Sequence, residues 1–315
     1  MPAALTERPR LAALLGALCI AFAGIFVRYA DVSPITATAY RCLYALPALA
    51  LLTLREEREL GPRSRRQTAV ALLAGACFGI DLTAFHAGIG AVGAGLETVL
   101  ANLQVVIVGL VAWVVLGERP SGRLAIAVPL ALAGAVLISG VIGGGAYGAD
   151  PALGVAYGLV AAVFYAAYLL ILRSGIGDPR RVAGPILDAT AASALTAFVL
   201  AATQGDPDLL PAWPSVAWLV LLALVAQVAG GQLILVSLPR LPAVLTSLIL
   251  LAQPVVTVIL GMILLRESPS VEQMAGVVLI LSGLVLASGR RSRARPVRTA
   301  ARAGDPPPYS ASDPP

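Results

Sequence analysis

Leu116-Gly117-Glu118-Arg119-Pro120-Ser121 returns 149 residues further on as Leu265-Arg266-Glu267-Ser268-Pro269-Ser270. Laying the chain on itself at that offset, without a gap, places 96–139 on 245–288. Gln104 then meets Gln253, Gly134 meets Gly283 and Ser139 meets Ser288. Leu and Val agree cheaply in apolar sequence; Gln, Gly and Glu-x-Pro-Ser do not, so the match marks an internal repeat.

The sequence around the two loops is apolar over the lengths a bilayer core demands, about 20 residues per helix. Ten such runs occur, at 11–27, 34–54, 68–87, 98–116, 124–142, 153–172, 182–202, 216–238, 243–265 and 271–288. None alternates with the period of a strand, and backbone in lipid must satisfy its own hydrogen bonds, so all read as helices. Composition agrees, with 58% hydrophobic and 12% charged residues and a mean hydropathy of +0.88. Soluble domains carry about 25% charged residues. The expected fold class is therefore an all-α integral membrane protein of ten transmembrane helices.

Five helices separate the two copies, an odd number, so the two Glu-x-Pro-Ser loops fall on opposite sides of the membrane. The fold is expected as two inverted five-helix repeats around a central cavity, a recurrent design of secondary transporters. Alternating access by rocking of the halves is the mechanism that design implies, by architectural analogy.

Every one of the 22 basic residues is arginine, and their placement is topological. With the N-terminus cytoplasmic, the inside segments hold 19 of them: Arg8, Arg10, the five from Arg55 to Arg66, Arg119, Arg123, Arg173, Arg180, Arg181, Arg240 and the six from Arg290 to Arg302. The outside loops hold Arg28 and Arg266, and Arg41 lies within a helix. That positive-inside bias puts both termini in the cytoplasm of a multi-pass protein of the cell membrane. The net charge of +5 thus reflects topology, and no nucleic-acid partner is expected.

Charges inside the hydrocarbon are few and costly, which makes them functional candidates. At 1.5 Å per residue, Arg41 in the second run and Asp81 in the third lie roughly 10 Å below the outer edge, where they can pair. His86 and Glu97 flank the following short outer loop, so the four are expected to line an outer vestibule. One reading makes Arg41 the anchor for a substrate carboxylate or phosphate, with Asp81 or Glu97 exchanging coupled protons. The other makes Arg41 and Asp81 a structural pair between two helices. Gln104 and Gln253 are related by the repeat and are expected on opposite walls of the central cavity. Gln227 and Gln232 add polar candidates, and interhelical hydrogen bonding is the plain alternative for all four amides. Asp188, about 9 Å from the inner edge, is a candidate for the cytoplasmic gate or a partner of arginines such as Arg181.

Tyr40-Arg41, Gly93-Ala94-Gly95-Leu96, Leu116-Gly117-Glu118-Arg119-Pro120-Ser121 and the degenerate copy 265–270 resemble the drug/metabolite transporter superfamily, of the type with two EamA domains. The resemblance covers about 11–288 and departs from the family pattern at Asp81 and Glu97, where members are more often uncharged. It implies a ten-helix carrier that exports amino acids, other metabolites or drugs. On this reading residues 1–10 are a cytoplasmic N-terminus, 11–142 the first EamA-like repeat, 143–152 an outer loop, 153–289 the second repeat and 290–315 a disordered Arg/Pro-rich tail. Expected partners are a small-molecule solute, membrane lipids, coupled protons and a second copy of the chain as a homodimer.

Other chemistries find little support. Gly88-Ile89-Gly90-Ala91-Val92-Gly93 spells a dinucleotide fingerprint but follows a membrane helix instead of a strand, so the phosphate-cradling mechanism is absent. The chain has a single histidine, and its three cysteines, Cys19, Cys42 and Cys77, sit in apolar runs without ligand spacing; no metal or other cofactor is expected. It carries no Walker motif. The protein is not expected to be an enzyme; the alternative is a membrane-embedded enzyme acting on a lipid-like substrate through Asp81, His86 and Glu97. Ala21-Phe22-Ala23 mimics a signal-peptide cleavage site, but the repeat needs that segment as a helix. The terminal Pro306-Pro307-Pro308-Tyr309 formally matches a ligand of WW-type grooves.

Overall fold

The computed structural model describes residues 8–116, 122–175, 181–204, 210–237, 241 and 243–288. The first Glu-x-Pro-Ser loop and the tail beyond Ser288 lie outside the described residues. Within them the chain forms ten helical spans. α1 runs Pro9–Ala21 and Ala23–Ala30, broken at Phe22; α2 is Pro34–Leu60, α3 Arg65–Val92, α5 Gly122–Ile138, α6 Pro151–Gly175 and α7 Ala183–Gln204. α4 comprises Ala94–Ala101 and Gln104–Leu116. α8 comprises Ser215–Leu221, a π-helical stretch Leu222–Gly230 and Gly231–Ser237; α9 is Ala243–Leu264 and α10 Val271–Ser288. Eight spans are long and apolar enough to cross a membrane, and Gly122–Ile138 and Ile249–Leu264 are shorter apolar helices. Leu51, Leu195 and Ile263 are among many large apolar side chains left exposed around the bundle, as a lipid-facing surface requires.

Local chemistry sets the helix ends. Ser33 accepts the Thr36 N–H ahead of α2, where Pro34 at the first position loses nothing. Ser64 and Gln67 form a reciprocal capping box at α3, and Ser270 and Gln273 repeat it at α10. α3 continues past the expected end at 87, through Gly88 to Val92. One residue, Gly93, then closes α3 and opens α4; its φ of +93° is a conformation other residues rarely adopt. The expected outer loop at 88–97 is thus helical except at Gly93, and His86 and Glu97 lie inside helices instead of flanking a loop. α2 likewise extends to Leu60, which carries Glu56 and Glu57 on its last turn.

For description, the end of the bundle where α1 begins, marked by Arg55, Arg58, Arg63, Arg65, Arg66 and Arg181, is the arginine-rich end. Five spans per half make α6 start at the other, arginine-poor end, so the halves are inverted. Packing follows the repeat. α3 lies on α6 as α8 lies on α1, α4 on α6 as α9 on α1, and α3 on α7 as α8 on α2; α2–α7, α4–α9 and α5–α10 are self-related pairs. The α5–α10 pair shows the two-fold in detail. A Cβ on Gly134 would lie 2.6 Å from the Gly276 carbonyl oxygen, and at the positions related by the 149-residue offset a Cβ on Gly283 would lie 3.0 Å from the Ala127 oxygen. Small residues let membrane helices approach this closely, where dispersion between backbones replaces the missing hydrophobic drive.

Gln273, fully buried, ties this pair to the 139–150 segment. Its Oε1 accepts the Ser270 and Tyr147 N–H groups, and its Nε2 donates to the Ile138 and Tyr147 carbonyls. All four hydrogen-bonding positions of the amide are used.

Candidate solute-binding site

Four helices from both repeats converge on Arg41, which is 6% exposed. From α2, its Nε donates to Gln227 Oε1 on α8 at 3.1 Å, and its Nη1 faces His86 Nε2 on α3 at 3.5 Å. Gln227 Nε2 in turn donates to Thr190 Oγ1 on α7 at 3.3 Å. The π-helical stretch of α8 brings Gln227 here, and such widened turns recur at functional sites because they re-aim one side chain without ending the helix.

Proton inventory assigns the imidazole. Thr38 has one hydroxyl proton and donates it to the Pro34 carbonyl at 2.9 Å, so towards His86 Nδ1, also 2.9 Å away, it acts as acceptor. His86 therefore carries its proton on Nδ1, leaving the Nε2 lone pair for Arg41. Thr83, which donates to Gly79 O at 2.8 Å, stands behind Thr38 at 3.4 Å.

Asp81, 5% exposed on α3, lies within electrostatic reach of Arg41 and of Tyr165 and Tyr168 on α6. Among the described residues the ion pairs are those of Arg63, so Arg41 and Asp81 do not close the salt bridge their depths allowed. The physical reason is orientation, since the guanidinium is turned towards the neutral acceptors of Gln227 and His86. Phe78, Tyr165 and Tyr168 form an aromatic wall beside Asp81, with Phe78 and Tyr168 stacked at 4.6 Å.

Glu97 on α4 is fully buried, and among the described residues neither carboxyl oxygen has a hydrogen-bond partner. Two glycines make its niche: a Cβ on Gly88 of α3 would fall within 2.5 Å of Oε1, and one on Gly158 of α6 at 3.3 Å from Oε2. Asp81 is its charged neighbour.

The amides related by the repeat are not joined. Gln104 and Gln253 are both half-buried, no hydrogen bond links them, and the Gln104 Oε1 has no partner among the described residues. Among the described residues Gln232 makes no hydrogen bond to the Arg41 cluster, and its buried Nε2 has no partner. Asp188 belongs to the arginine-rich end, where both its oxygens meet Arg63, itself 3.2 Å from Glu57. Arg181, the partner considered from sequence, donates to the Leu60 carbonyl. Beside them Glu56 accepts three backbone N–H groups at the start of α7, Val182 and Ala183 at 2.7 Å and Gly184 at 3.0 Å.

Two residues outside the sequence candidates matter most, Thr38 and Glu267. Glu267, 5% exposed, accepts the Ala94 N–H at 2.6 Å and the Gly95 N–H at 3.1 Å at the start of α4. Its pairing with Glu118 in the repeat was the available signal; a threonine in a membrane helix offers none.

Ten helices in two opposed halves, with polar side chains of both halves meeting in the interior, define a multi-pass membrane protein with the architecture of a carrier. The sequence matches the EamA-like transporter family twice, over residues 9–140 and 152–289. The chain belongs to that family, a family of membrane transporters of small molecules. No curated protein matches it. Among solved structures, one described only as the crystal structure of a protein shares the fold, with a TM-score of 0.60 at 17% identity over 89% of this chain and 96% of that one.

Proposed function

We propose that the protein is a secondary carrier that exports a small carboxylated metabolite, such as an amino acid or a related compound, by alternating access. The observation that carries this reading is Arg41: a buried cation, reached from both repeats, whose bonded partners are neutral and which no carboxylate among the described residues neutralises directly. A guanidinium held by Nε and one edge of Nη1 keeps further N–H donors for an anionic group, and Arg suits planar carboxylates. The aromatic wall of Phe78, Tyr165 and Tyr168 offers apolar surface beside it. Asp81 and Glu97 are the carboxyl groups placed to exchange coupled protons as the site changes sides. The arginine-rich end faces the cytoplasm of the cell membrane, with both termini, as the positive-inside rule directs.

The enzyme reading needs Asp81, His86 and Glu97 to act on one substrate atom. The bonds of His86 run to Thr38 and Arg41, and the carboxyl of Glu97 is walled by glycines, an arrangement that favours the carrier.

Purified protein in sealed liposomes is expected to move a labelled carboxylated metabolite down its gradient without altering it, and Arg41→Gln to stop that movement. Candidates come from thermal stabilisation by amino acids, amines and nucleosides. Chemical conversion without movement overturns the proposal, and so does preferential stabilisation by cationic amines.

A further inference from the structure

A carboxylate of one repeat sits on the start of a helix of the other at each end of the bundle, but the two seams differ. Glu56 caps α7 on the α2–α7 pair, which is packed extensively. Glu267 caps α4 on the α4–α9 pair, where α9 packs on the first piece of α4, Ala94–Ala101, while the second piece packs on α5, α6 and α10.

The two-fold that relates α5 to α10 so closely is broken here. A Cβ on Gly95 would stand 2.8 Å from the Val258 Cα, which places the two backbones in contact. A Cβ on Gly109, the repeat counterpart of Val258, would stand 3.1 Å from the Leu124 side chain of α5. The seam is thus drawn together at the arginine-poor end, and Glu267 is the polar group that spans it.

Its seat is built for a carboxylate. Cβ atoms on Gly93, Gly95 and Gly261 would lie 2.9, 3.2 and 3.0 Å from its Oε1, Oε2 and Cδ, so larger residues there would fill the space it occupies. Arg266 takes a left-handed turn, φ +55°, and the Glu267 N–H donates to Gly261 O at 3.1 Å, which folds the side chain back towards α4. A carboxylate on two backbone N–H groups at a helix start gains both charge-assisted bonds and the favourable helix dipole.

We propose that Glu267 holds the arginine-poor end of the α4–α9 seam shut, and that withdrawing its carboxylate from the Ala94 and Gly95 N–H groups opens a water path to Glu97, one turn below, and thence to Asp81 and Arg41. The proposal rests on the alternating-access reading above. Its test reads accessibility and does not depend on finding the solute.

Thr98, buried beside Glu97 on α4, is replaced by cysteine in a chain whose Cys19, Cys42 and Cys77 are alanine, and a membrane-impermeant maleimide is added to sealed vesicles at the arginine-poor side. Loss of two charge-assisted bonds in Glu267→Ala is expected to raise the labelling rate about tenfold or more. Gly95→Ala pries the same seam from the α4 side, its new Cβ meeting the Val258 Cα and crowding the Glu267 carboxylate, and is expected to act in the same direction. In the unaltered chain, hydrogen exchange at the Ala94 and Gly95 amides is expected to be slow. Unchanged labelling in folded Glu267→Ala and Gly95→Ala proteins overturns the proposal; where neither folds, free exchange of those two amides in the parent does so. Labelling that responds in a protein that moves no solute keeps the clasp and removes the carrier, and solute movement with unresponsive labelling does the reverse.

Discussion

Alanine at Gly88 sends a methyl group into the niche of Glu97, and the outcome can be worked out from the geometry. The new Cβ falls within 2.5 Å of Oε1 and closer still to Cδ and Oε2. Ordinary contact needs about 3.5 Å, so the carboxyl group must move by roughly 1 Å or more. The α6 side gives it no polar side chain to move to at Gly158, where an added Cβ would stand 3.3 Å from Oε2. Nor does a hydrogen bond guide it to another seat, since neither oxygen has one. Overpacking of this kind costs about 1–3 kcal/mol, which in a chain of this size lowers the melting temperature by roughly 2–8 °C.

Shortening the other partner should relieve the clash. Gly88→Ala with Glu97→Ala is expected to be more stable than the sum of the single changes by about 1 kcal/mol or more, a coupling of favourable sign. Thermal unfolding of the four proteins in one detergent–lipid mixture measures it. A Gly88→Ala protein that melts with the parent refutes the reasoning, and so does a cycle that closes additively, because either places Glu97 away from Gly88.

Exchanging the charges, Arg41→Asp with Asp81→Arg, is expected not to restore liposome transport, since Arg41 bonds Gln227 and His86 instead of Asp81; recovery to about half of parental flux would make the pair structural. Leucine at Gly134 or at Gly283 should destabilise alike, by about 1–3 kcal/mol in unfolding experiments, because the two-fold puts each against a carbonyl oxygen; Gly134 at 2.6 Å should be the worse. Glu56→Ala strands three amides at the start of α7 and should cost about 1–3 kcal/mol, with faster hydrogen exchange confined to 182–184. Glu267 yields a pH dependence. Burial raises its carboxyl above the ordinary 4.5, against the Ala94 and Gly95 N–H groups and the Arg28 charge, which lower it; Tyr147 is the other titratable neighbour. A closed end with the raised value binds the proton more tightly than an open, hydrated one, so closure gains as pH falls and loses as pH rises through that value. Labelling at Thr98→Cys, corrected for thiolate fraction, should therefore slow between neutral pH and the ordinary carboxylate range; a rise on acidification contradicts this assignment.

Much of the architecture was legible beforehand, element by element. Apolar runs of bilayer length located the helices, although α2 ran on to Leu60 and α3 to Val92 because capping at Gly61 and Gly93, not hydropathy, ends them. The site was legible only as a set of candidates. Arg41, His86 and Gln227 stood out as polar residues in apolar sequence, and they do meet. Asp81 and Glu97 stood out equally, yet one stays beside Arg41 unbridged and the other occupies a glycine niche. Gln104 and Gln253, the most suggestive pair from the repeat, are not joined.

The sequence alone determined the membrane setting, the ten helices, the inversion of the halves and the family, because hydrophobic length and an offset of 149 residues are patterns along one dimension. Only the tertiary structure decided who touches whom. Arg41 finds Gln227 across 186 positions and Glu267 finds Ala94 across 173, each through the rotation of a helix about its axis and the crossing of its neighbours. Rotation and crossing are set by which small residues admit a close approach, here Gly134, Gly276, Gly88 and Gly95, and that choice is made jointly by both surfaces in contact, so neither strand of sequence states it by itself.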